Sequence, residues 1–328
     1  KFVIDCKSMD YALGIDIGGT NTVFGIIDKS GNVLKKKSIL TFSQNPVNEL
    51  LDRLFHDVCV WESEIENEVE LSGIGIGVPN GNYHTGMINP NPPNLGTSWD
   101  SLDLVETVKH YRNVPVIVTN DANAAALGEM HFGSAKGMRD FVVITLGTGL
   151  GSGIVVNGSL IYGHDGSAGE LGHIMLDQNG PKCKCGKYGC LEMYVSAKGF
   201  DRAVKEFKNN HPNDTFLAGL PDKNVNGKEM DDAYDRGEDM AIEIYNYIGS
   251  MLGIGLAQAA ILLSPEAFIF YGGISKAGDR ILKTALNSMN ENILDQQKGR
   301  ITLKLSKLPD GDACILGAAS LIWDKIKK

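Results

Sequence analysis

The feature that most constrains the fold is a pattern of strand, glycine corner and strand that occurs twice in the chain. In the first copy, the apolar segment 13–17 breaks at residues 18–21 before a second strand begins. In the second copy, about 130 residues later, segment 141–146 breaks at residues 147–153, and the next strand ends at the hairpin turn Asn157-Gly158. This interval is too long for a solenoid repeat. It indicates an internal duplication and predicts two similar lobes that face a cleft.

Helical and strand patterns alternate around these two copies. Apolar residues recur at helical spacing after Pro46, and segments 71–78 and 114–119 are typical of buried strands. Further on, a long helical stretch over residues 231–263 precedes a strand at 267–271. Such alternation predicts the α/β class.

With 328 residues, the chain is long enough for two domains, or for two lobes that share one core. We expect an N-terminal lobe over residues 1–120 and a C-terminal lobe over residues 121–311, which carries a cluster of cysteines. The segment 312–328 is helical with one apolar face and is expected to complete the N-terminal lobe.

Charge and hydropathy exclude several classes of protein. The formal charge of −9 argues against nucleic acid as the main partner, because phosphate backbones attract positive patches. The longest apolar stretch, 252–263, is shorter than a membrane span and is interpreted as a buried helix. Segment 1–10 lacks the apolar core of a secretory signal, and six cysteines are too few for a disulfide scaffold. We therefore expect a cytoplasmic protein that does not bind membranes.

The first glycine corner has the residue types of a phosphate site. Asp16 ends a buried strand, and Gly18, Gly19 and Thr20 follow it. Glycines let backbone N–H groups approach an anion, the hydroxyl adds a hydrogen bond, and the acid can hold Mg²⁺. A tight turn with a solvated Asp would look the same. The matching corner in the second copy favours phosphate binding, because two corners could hold one nucleotide from both sides. Neither corner has the P-loop or the dinucleotide-binding pattern.

Asp121 is the candidate general base. With Asn120, it follows the strand 116–119 and precedes an Ala-rich helix, where open α/β sheets place their reactive groups. Asp or Asn before such a helix is also a good N-cap. The glycine corners favour catalysis at Asp121, with either residue capping the helix as well.

A cluster of cysteines predicts a metal site. Cys183, Cys185 and Cys190 offer three thiolates, and His173 lies ten residues before the first of them. Three sulfurs and one imidazole make a closed, structural zinc site, although free thiols, a redox pair or a His packed in the core remain open. Glu170 and Glu192 flank this cluster, either as carboxylates held toward one pocket or as solvated loop acids.

Together these motifs resemble the ROK family of sugar kinases and sugar-responsive repressors. The resemblance covers nearly the whole chain, and its most specific part runs from Gly147 through the sequence Gly169-Glu-Leu-Gly-His173 to the cysteines. It implies an actin-like (ribonuclease H-like), duplicated two-lobe α/β fold, with ATP and Mg²⁺ in the cleft and a hexose between the lobes. It also implies structural Zn²⁺ and a homodimer or homotetramer.

The resemblance assigns roles residue by residue. Asp121 takes the proton of the sugar 6-hydroxyl, while the other sugar hydroxyls are bound by Gly81, Asn94, Asn120, Glu170, His173 and Glu192. The nucleotide and its Mg²⁺ are held by Asp16, Gly18, Gly19, Thr20, Asn21, Gly147, Thr148, Gly149, Gly272 and Gly273. Zinc is held by His173, Cys183, Cys185 and Cys190.

Two departures from the family pattern concern the nucleotide and sugar segments. Asn21 stands where many relatives carry Lys, and residues 79–82 replace the commoner Pro-Gly-Pro type of loop. We expect an ATP-dependent hexose kinase, specifically a glucokinase. The alternatives are a kinase of N-acetylglucosamine or N-acetylmannosamine, a non-catalytic sugar sensor, and a kinase that uses polyphosphate as donor. Only about 15 residues precede Asp16, so the helix-turn-helix domain of the repressors does not fit there.

Overall fold

The computed structural model describes residues 10–64, 70–309 and 311–326, and they form two compact units. The first unit lies within residues 1–137, 160–168 and 307–328, and the second within residues 138–159 and 169–306. The sequence-based expectation of no secretory signal concerns residues 1–10, of which residues 1–9 lie outside the described residues.

The strands and helices are numbered in chain order. The strands are β1 (Tyr11–Ile17), β2 (Asn21–Asp28), β3 (Val33–Leu40), β4 (Leu71–Gly77), β5 (Val116–Thr119), β6 (Phe141–Leu146), β7 (Leu150–Val156), β8 (Ser159–Leu160), β9 (Ala267–Tyr271) and β10 (Thr302–Leu305). The helices are α1 (Val47–Glu64), α2 (Leu104–Lys109), α3 (Asp121–Phe132), α4 (Glu192–Val195), α5 (Ala197–Asn210), α6 (Thr215–Gly219), α7 (Gly227–Asp235), α8 (Asp239–Leu263), α9 (Asp279–Asn292) and α10 (Asp312–Ile326).

The first unit is a five-stranded sheet with helices on both faces. Its strand order is β3-β2-β1-β4-β5, in which β1 pairs antiparallel with β2 and parallel with β4. Alternate residues of a strand point to opposite faces. Leu13 and Ile15 accordingly pack with α1 and α2, whereas Ala12 packs with α3 and α10.

Helix α10 approaches the sheet so closely at two glycines that a side chain there would not fit. A Cβ on Gly14 of β1 would lie 2.0 Å from the carbonyl oxygen of Ile315, and one on Gly75 of β4 would lie 1.8 Å from that of Ala318. Helix α3 approaches α10 in the same way, since a Cβ on Gly128 would lie 2.0 Å from the Ala313 carbonyl oxygen. These glycines fix α10 against both β1 and α3.

The first unit extends beyond the expected boundary after residue 120. Helix α3 belongs to this unit because its small residues pack against α10, and the first segment of the unit continues to Gly137. Residues 160–168 also belong to it, because the Asn82 amide donates to the Asp165 carbonyl oxygen at 2.7 Å and Tyr83 stacks on Tyr162. These contacts are non-local, and the sequence pattern gave no sign of them.

The second unit repeats the topology of the first. Its sheet order is β10-β9-β6-β7-β8, with β6 antiparallel to β7 and parallel to β9, and β9 parallel to β10. The strand that ends at each glycine corner, β1 or β6, is therefore central in its own sheet. The duplication predicted from the sequence is confirmed by this shared strand order.

Helix α8 forms the core of the second unit. The helical stretch expected over 231–263 is two helices, because the chain breaks at Gly237, where φ is 81°. By length and composition alone α8 could cross a membrane, but half of its most apolar window is buried inside the unit. Gly253 also approaches α9, where a Cβ would lie 2.5 Å from the carbonyl oxygen of Ala285. Packing in the core accounts for the apolar character of α8.

Candidate functional site

Two carboxylates interact at one edge of the first sheet. Asp16 is the penultimate residue of β1, and Asp121 begins α3 directly after β5. Burial and, to a lesser extent, the charge of Asp121 raise the pKa of Asp16 to about 7. Burial likewise raises the pKa of Asp121. Raised pKa values in a pair of neighbouring acids are typical of functional sites.

The N-cap of α3 is Asn120 and not Asp121. The side-chain oxygen of Asn120 accepts from the backbone N–H of Ala122 at 2.9 Å. Asp121 is the first residue of the helix and also accepts from this N–H, at 2.9 Å. The Asp121 carboxylate therefore lies at the positive end of the helix, which stabilises its charged form against the effect of burial.

Cys314 contacts both acidic residues, through the Asp16 side chain and the Asp121 main chain, and was not predicted from the sequence. This buried residue of α10 hydrogen-bonds to the Asp16 side chain, and its Sγ lies 3.7 Å from the main-chain oxygen of Asp121. Burial, with the charges of both acids, raises the pKa of the thiol well above its usual value. Only the packing of α10 against β1 and α3 brings Cys314 there, and no local pattern marks it.

The corner in the first unit exposes its central residues. Thr20 and Asn21 are exposed, and the Gly18 N–H donates to the Asn21 carbonyl oxygen at 3.0 Å. A Cβ on Gly19 would lie 2.6 Å from the Cβ of Asn94, so only glycine fits at this contact. The predicted nucleotide corner and a predicted sugar residue therefore touch within one unit.

The corner in the second unit is braced by the chain that follows the cysteines. The Ala197 N–H donates to the Gly147 carbonyl oxygen at 2.9 Å, and the Leu150 N–H donates to Glu192 Oε2 at 2.9 Å. A Cβ on Gly149 would lie 2.5 Å from this same carboxylate oxygen. Glu192, which the resemblance assigns to the sugar, thus lies directly against the glycine corner, while Thr148 is exposed.

The turn at Gly272-Gly273 reaches the same edge of the second sheet. Gly272 follows β9 with a φ of 107°, and a Cβ on it would lie 2.4 Å from the carbonyl oxygen of Leu146. Leu146 immediately precedes Gly147. The two predicted nucleotide segments of this unit are therefore adjacent, as the parallel pairing of β6 with β9 requires.

The predicted zinc ligands lie together. The Nδ1 atom of His173 is 3.7 Å from Cys183 Sγ, and Cys185 Sγ is 3.6 Å from Cys190 Sγ. All four ligand atoms lie within 4.8 Å of one another. Tetrahedral zinc with Zn–S distances of about 2.3 Å holds its ligands roughly 3.8 Å apart, so this donor set fits the ion.

The remaining predicted sugar residues fall into one group in each unit. In the first unit, a Cβ on Gly81 would lie 2.4 Å from the Thr119 carbonyl oxygen, which places Gly81 beside the residue that precedes Asn120. In the second unit, Glu170 Oε2 lies 3.9 Å from Nε2 of His173. The carboxylate can therefore orient the imidazole whose other nitrogen faces Cys183.

Comparisons with known proteins show a family match over nearly the whole chain. A model of the ROK family matches residues 12–325. The glucokinase of Thermotoga maritima is 34% identical over 319 residues, which cover 96% of this chain and 98% of that protein. The xylose repressor of Bacillus subtilis is 29% identical over 327 residues, which cover 97% of this chain and 78% of the repressor.

A solved structure confirms the fold. A ROK family glucokinase from Streptomyces griseus, in complex with glucose and AMPPNP, is similar with a TM-score of 0.77 and 30% sequence identity. The similarity covers 95% of this chain and 98% of that one. The predicted α/β class with the duplicated, actin-like fold is thereby confirmed.

Proposed function

Because the chain belongs to the ROK family, we propose that it is an ATP-dependent hexose kinase, specifically a glucokinase that phosphorylates the 6-hydroxyl of glucose. The observation that carries this proposal is the carboxylate pair of Asp16 and Asp121 beside the glycine corner of the first unit. Phosphoryl transfer requires mainly positioning and charge stabilisation, and these residues can supply both.

In this proposal Asp121 is the general base. Burial raises its pKa, which strengthens it as a proton acceptor, while the N-terminus of α3 helps to keep it ionised. Asp121 would orient the sugar 6-hydroxyl and accept its proton as the oxygen attacks the γ-phosphorus. Asn120, which caps the same helix, would hold a neighbouring hydroxyl.

Asp16 would hold Mg²⁺ through water, and the backbone N–H groups of the corners would bind the phosphates. When bound, Mg²⁺ neutralises the charge of the phosphates. An acidic chain with a formal charge of −9 can in this way bind a still more acidic nucleotide. Gly272 and Gly273, next to the second corner, would contact the adenosine.

The metal site would have a structural role. Zinc on His173 and the three cysteines would fix the chain around Glu170 and Glu192. Glu192 lies against the glycine corner at Gly149. Glu170, His173 and Glu192 would bind sugar hydroxyls. We further propose a cytoplasmic homodimer or homotetramer, which sedimentation equilibrium would distinguish from a monomer.

A sugar panel with MgATP tests the function. ADP release is measured with glucose, N-acetylglucosamine, N-acetylmannosamine, mannose and fructose, and polyphosphate replaces ATP in a parallel series. We expect the highest kcat/KM with glucose and ATP. A higher kcat/KM for an N-acetylated sugar would refute the glucokinase proposal but would still support a sugar kinase.

A non-catalytic sensor is the alternative of another class, because the matched repressor shares most of this chain. Asp121→Asn should lower kcat by a factor of about 100 or more. The matched control is Asp103→Asn at the exposed N-cap of α2, where Asn caps as well as Asp. Sugar binding without ADP release in the wild type would show a sensor.

A further inference from the structure

A closed ring of contacts in the first unit joins the glycine corner of β1 and β2 to the loop that carries Asn94. The ring runs from the corner to Thr41, along the chain to Ser43, across to Gly96, and back through Asn94 to Gly19. Every link is a hydrogen bond, a direct packing contact or two residues of chain.

Thr41 is the first link. Its hydroxyl donates to the Gly18 carbonyl oxygen at 2.7 Å, and its N–H donates to the Thr20 carbonyl oxygen at 2.8 Å. The hydroxyl also lies 2.9 Å from that of Thr22, and both side chains are buried. Buried hydroxyls with complete hydrogen bonding hold a single geometry, because a broken bond there leaves an unpaired polar atom. Thr41 thus fixes both sides of the corner.

Ser43 and Gly96 form the second link. The Gly96 N–H donates to the Ser43 carbonyl oxygen at 2.8 Å, and a Cβ on Gly96 would lie 2.6 Å from that oxygen. Phe42, between Thr41 and Ser43, has a φ of 52°, in the left-handed region that bulky residues rarely adopt. The surrounding contacts therefore impose this sharp connection on the chain.

Asn94 closes the ring. Its Cβ and main-chain oxygen pack against the Cα of Gly19, where any side chain would clash. Asn94 also has a positive φ, 64°, and is exposed. Its side chain is thus accessible to a ligand while its backbone rests on the corner.

We propose that Thr41 is a positioning residue that couples the binding of nucleotide and sugar within the first unit. The inference rests on the proposed function, in which phosphates bind at Gly18–Thr20 and the sugar at Asn94. A phosphate that fixes the corner also fixes the surface on which Asn94 packs, so each ligand favours the conformation that the other binds. Such coupling is reciprocal by thermodynamic necessity.

The test measures the Kd of glucose by calorimetry, with and without saturating MgAMPPNP. In the wild type, the nucleotide should tighten glucose binding about fivefold or more. Thr41→Val keeps the shape but removes the hydroxyl, and should reduce this enhancement to less than about twofold. Its glucose Kd without nucleotide should stay within about twofold of the wild-type value, and Thr41→Ser should restore the coupling.

A second substitution disrupts the ring at another contact, so that a folding defect in Thr41→Val alone cannot explain the result. Gly96→Ala should displace Ser43 and lower the enhancement in the same way. The matched control is Thr107→Val, which removes a hydroxyl bond to the Asp103 carbonyl oxygen in α2, outside the ring, and should keep the full enhancement.

The possible outcomes separate this inference from the function itself. The proposed coupling through the ring is refuted if folded Thr41→Val or Gly96→Ala keeps the wild-type enhancement of glucose binding by nucleotide. It is also refuted if the wild type binds glucose but shows no enhancement. If the wild type does not bind glucose, the calorimetry is carried out with the sugar of the panel that it does bind. If none of them binds, the proposed function fails together with this inference.

Discussion

Replacing Asp16 by Asn should stabilise the ligand-free first unit at alkaline pH and leave its stability unchanged at acid pH. Burial and the charge of Asp121 raise the pKa of Asp16 from its ordinary 3.8 to about 7. A carboxyl with a raised pKa contributes stability that is complete below 3.8 and is lost as the pH rises through about 7. Asn does not ionise, so the Asp16→Asn protein keeps this stability as the pH rises.

The size of the effect follows from the pKa difference. At about 1.4 kcal/mol per pKa unit, the difference between 3.8 and about 7 corresponds to about 4 kcal/mol. This is an upper limit, because Asp16 keeps some contact with solvent. Below about pH 3.8, Asp16 is neutral in both the folded and the unfolded state, so the two proteins should unfold alike there. At about pH 5 the unfolded carboxyl is already ionised, so an advantage of roughly 1.7 kcal/mol is expected for Asp16→Asn, less than half of the advantage at about pH 8.

The assay is urea unfolding followed by tryptophan fluorescence, without added Mg²⁺ or nucleotide. Trp61, Trp99 and Trp323 all lie in the first unit, so the signal reports only on the unit that contains Asp16. Asp103→Asn, on the surface of the same unit, serves as the control. An advantage of Asp16→Asn that is equal at about pH 5 and about pH 8 would refute the reasoning.

Three further substitutions test individual contacts. Cys185→Ser should lower the zinc content measured by elemental analysis and raise the sugar KM, and unchanged zinc content would contradict the metal site. Cys314→Ala should lower kcat by roughly 3- to 10-fold through the loss of its bond to Asp16, and Cys314→Ser should restore most of it; equal losses in both variants would argue against a hydrogen-bonding role. Gly75→Ala places a Cβ against the Ala318 carbonyl oxygen and should lower the unfolding free energy by about 3 kcal/mol, whereas Gly219→Ala, in open space, should change it by less than about 0.5 kcal/mol in a thermal melt. A similar melting temperature for the two glycine variants would contradict the close approach of α10.

Local patterns in the sequence were sufficient to predict the fold. A strand that ends in a glycine corner is visible in consecutive residues, and its second copy predicts a second sheet of the same strand order, which the structure has. The cysteine spacing likewise predicts a ligand set, because those residues are close in the chain and need only a short loop to converge.

Contacts between distant segments could not be predicted in the same way. Cys314 reaches Asp16 only because glycines in β1 and α3 admit α10, and Thr41 reaches Gly18 only through the register of β2 with β3. The contact of Glu192 with the Leu150 N–H also spans separate elements. Each depends on packing geometry, which composition and spacing do not specify.

The central claim is the transfer of phosphate from ATP to one sugar oxygen, and the product tests it most directly. The protein is incubated with MgATP and glucose labelled with ¹³C at carbon 6, and the product is examined by ³¹P and ¹³C NMR. We expect a phosphorus coupled to the labelled carbon, with one ADP formed per phosphorylated sugar, and formation of this product at least about 100-fold more slowly with Asp121→Asn. Intact glucose with unconsumed ATP, or phosphate attached at another carbon, would contradict it.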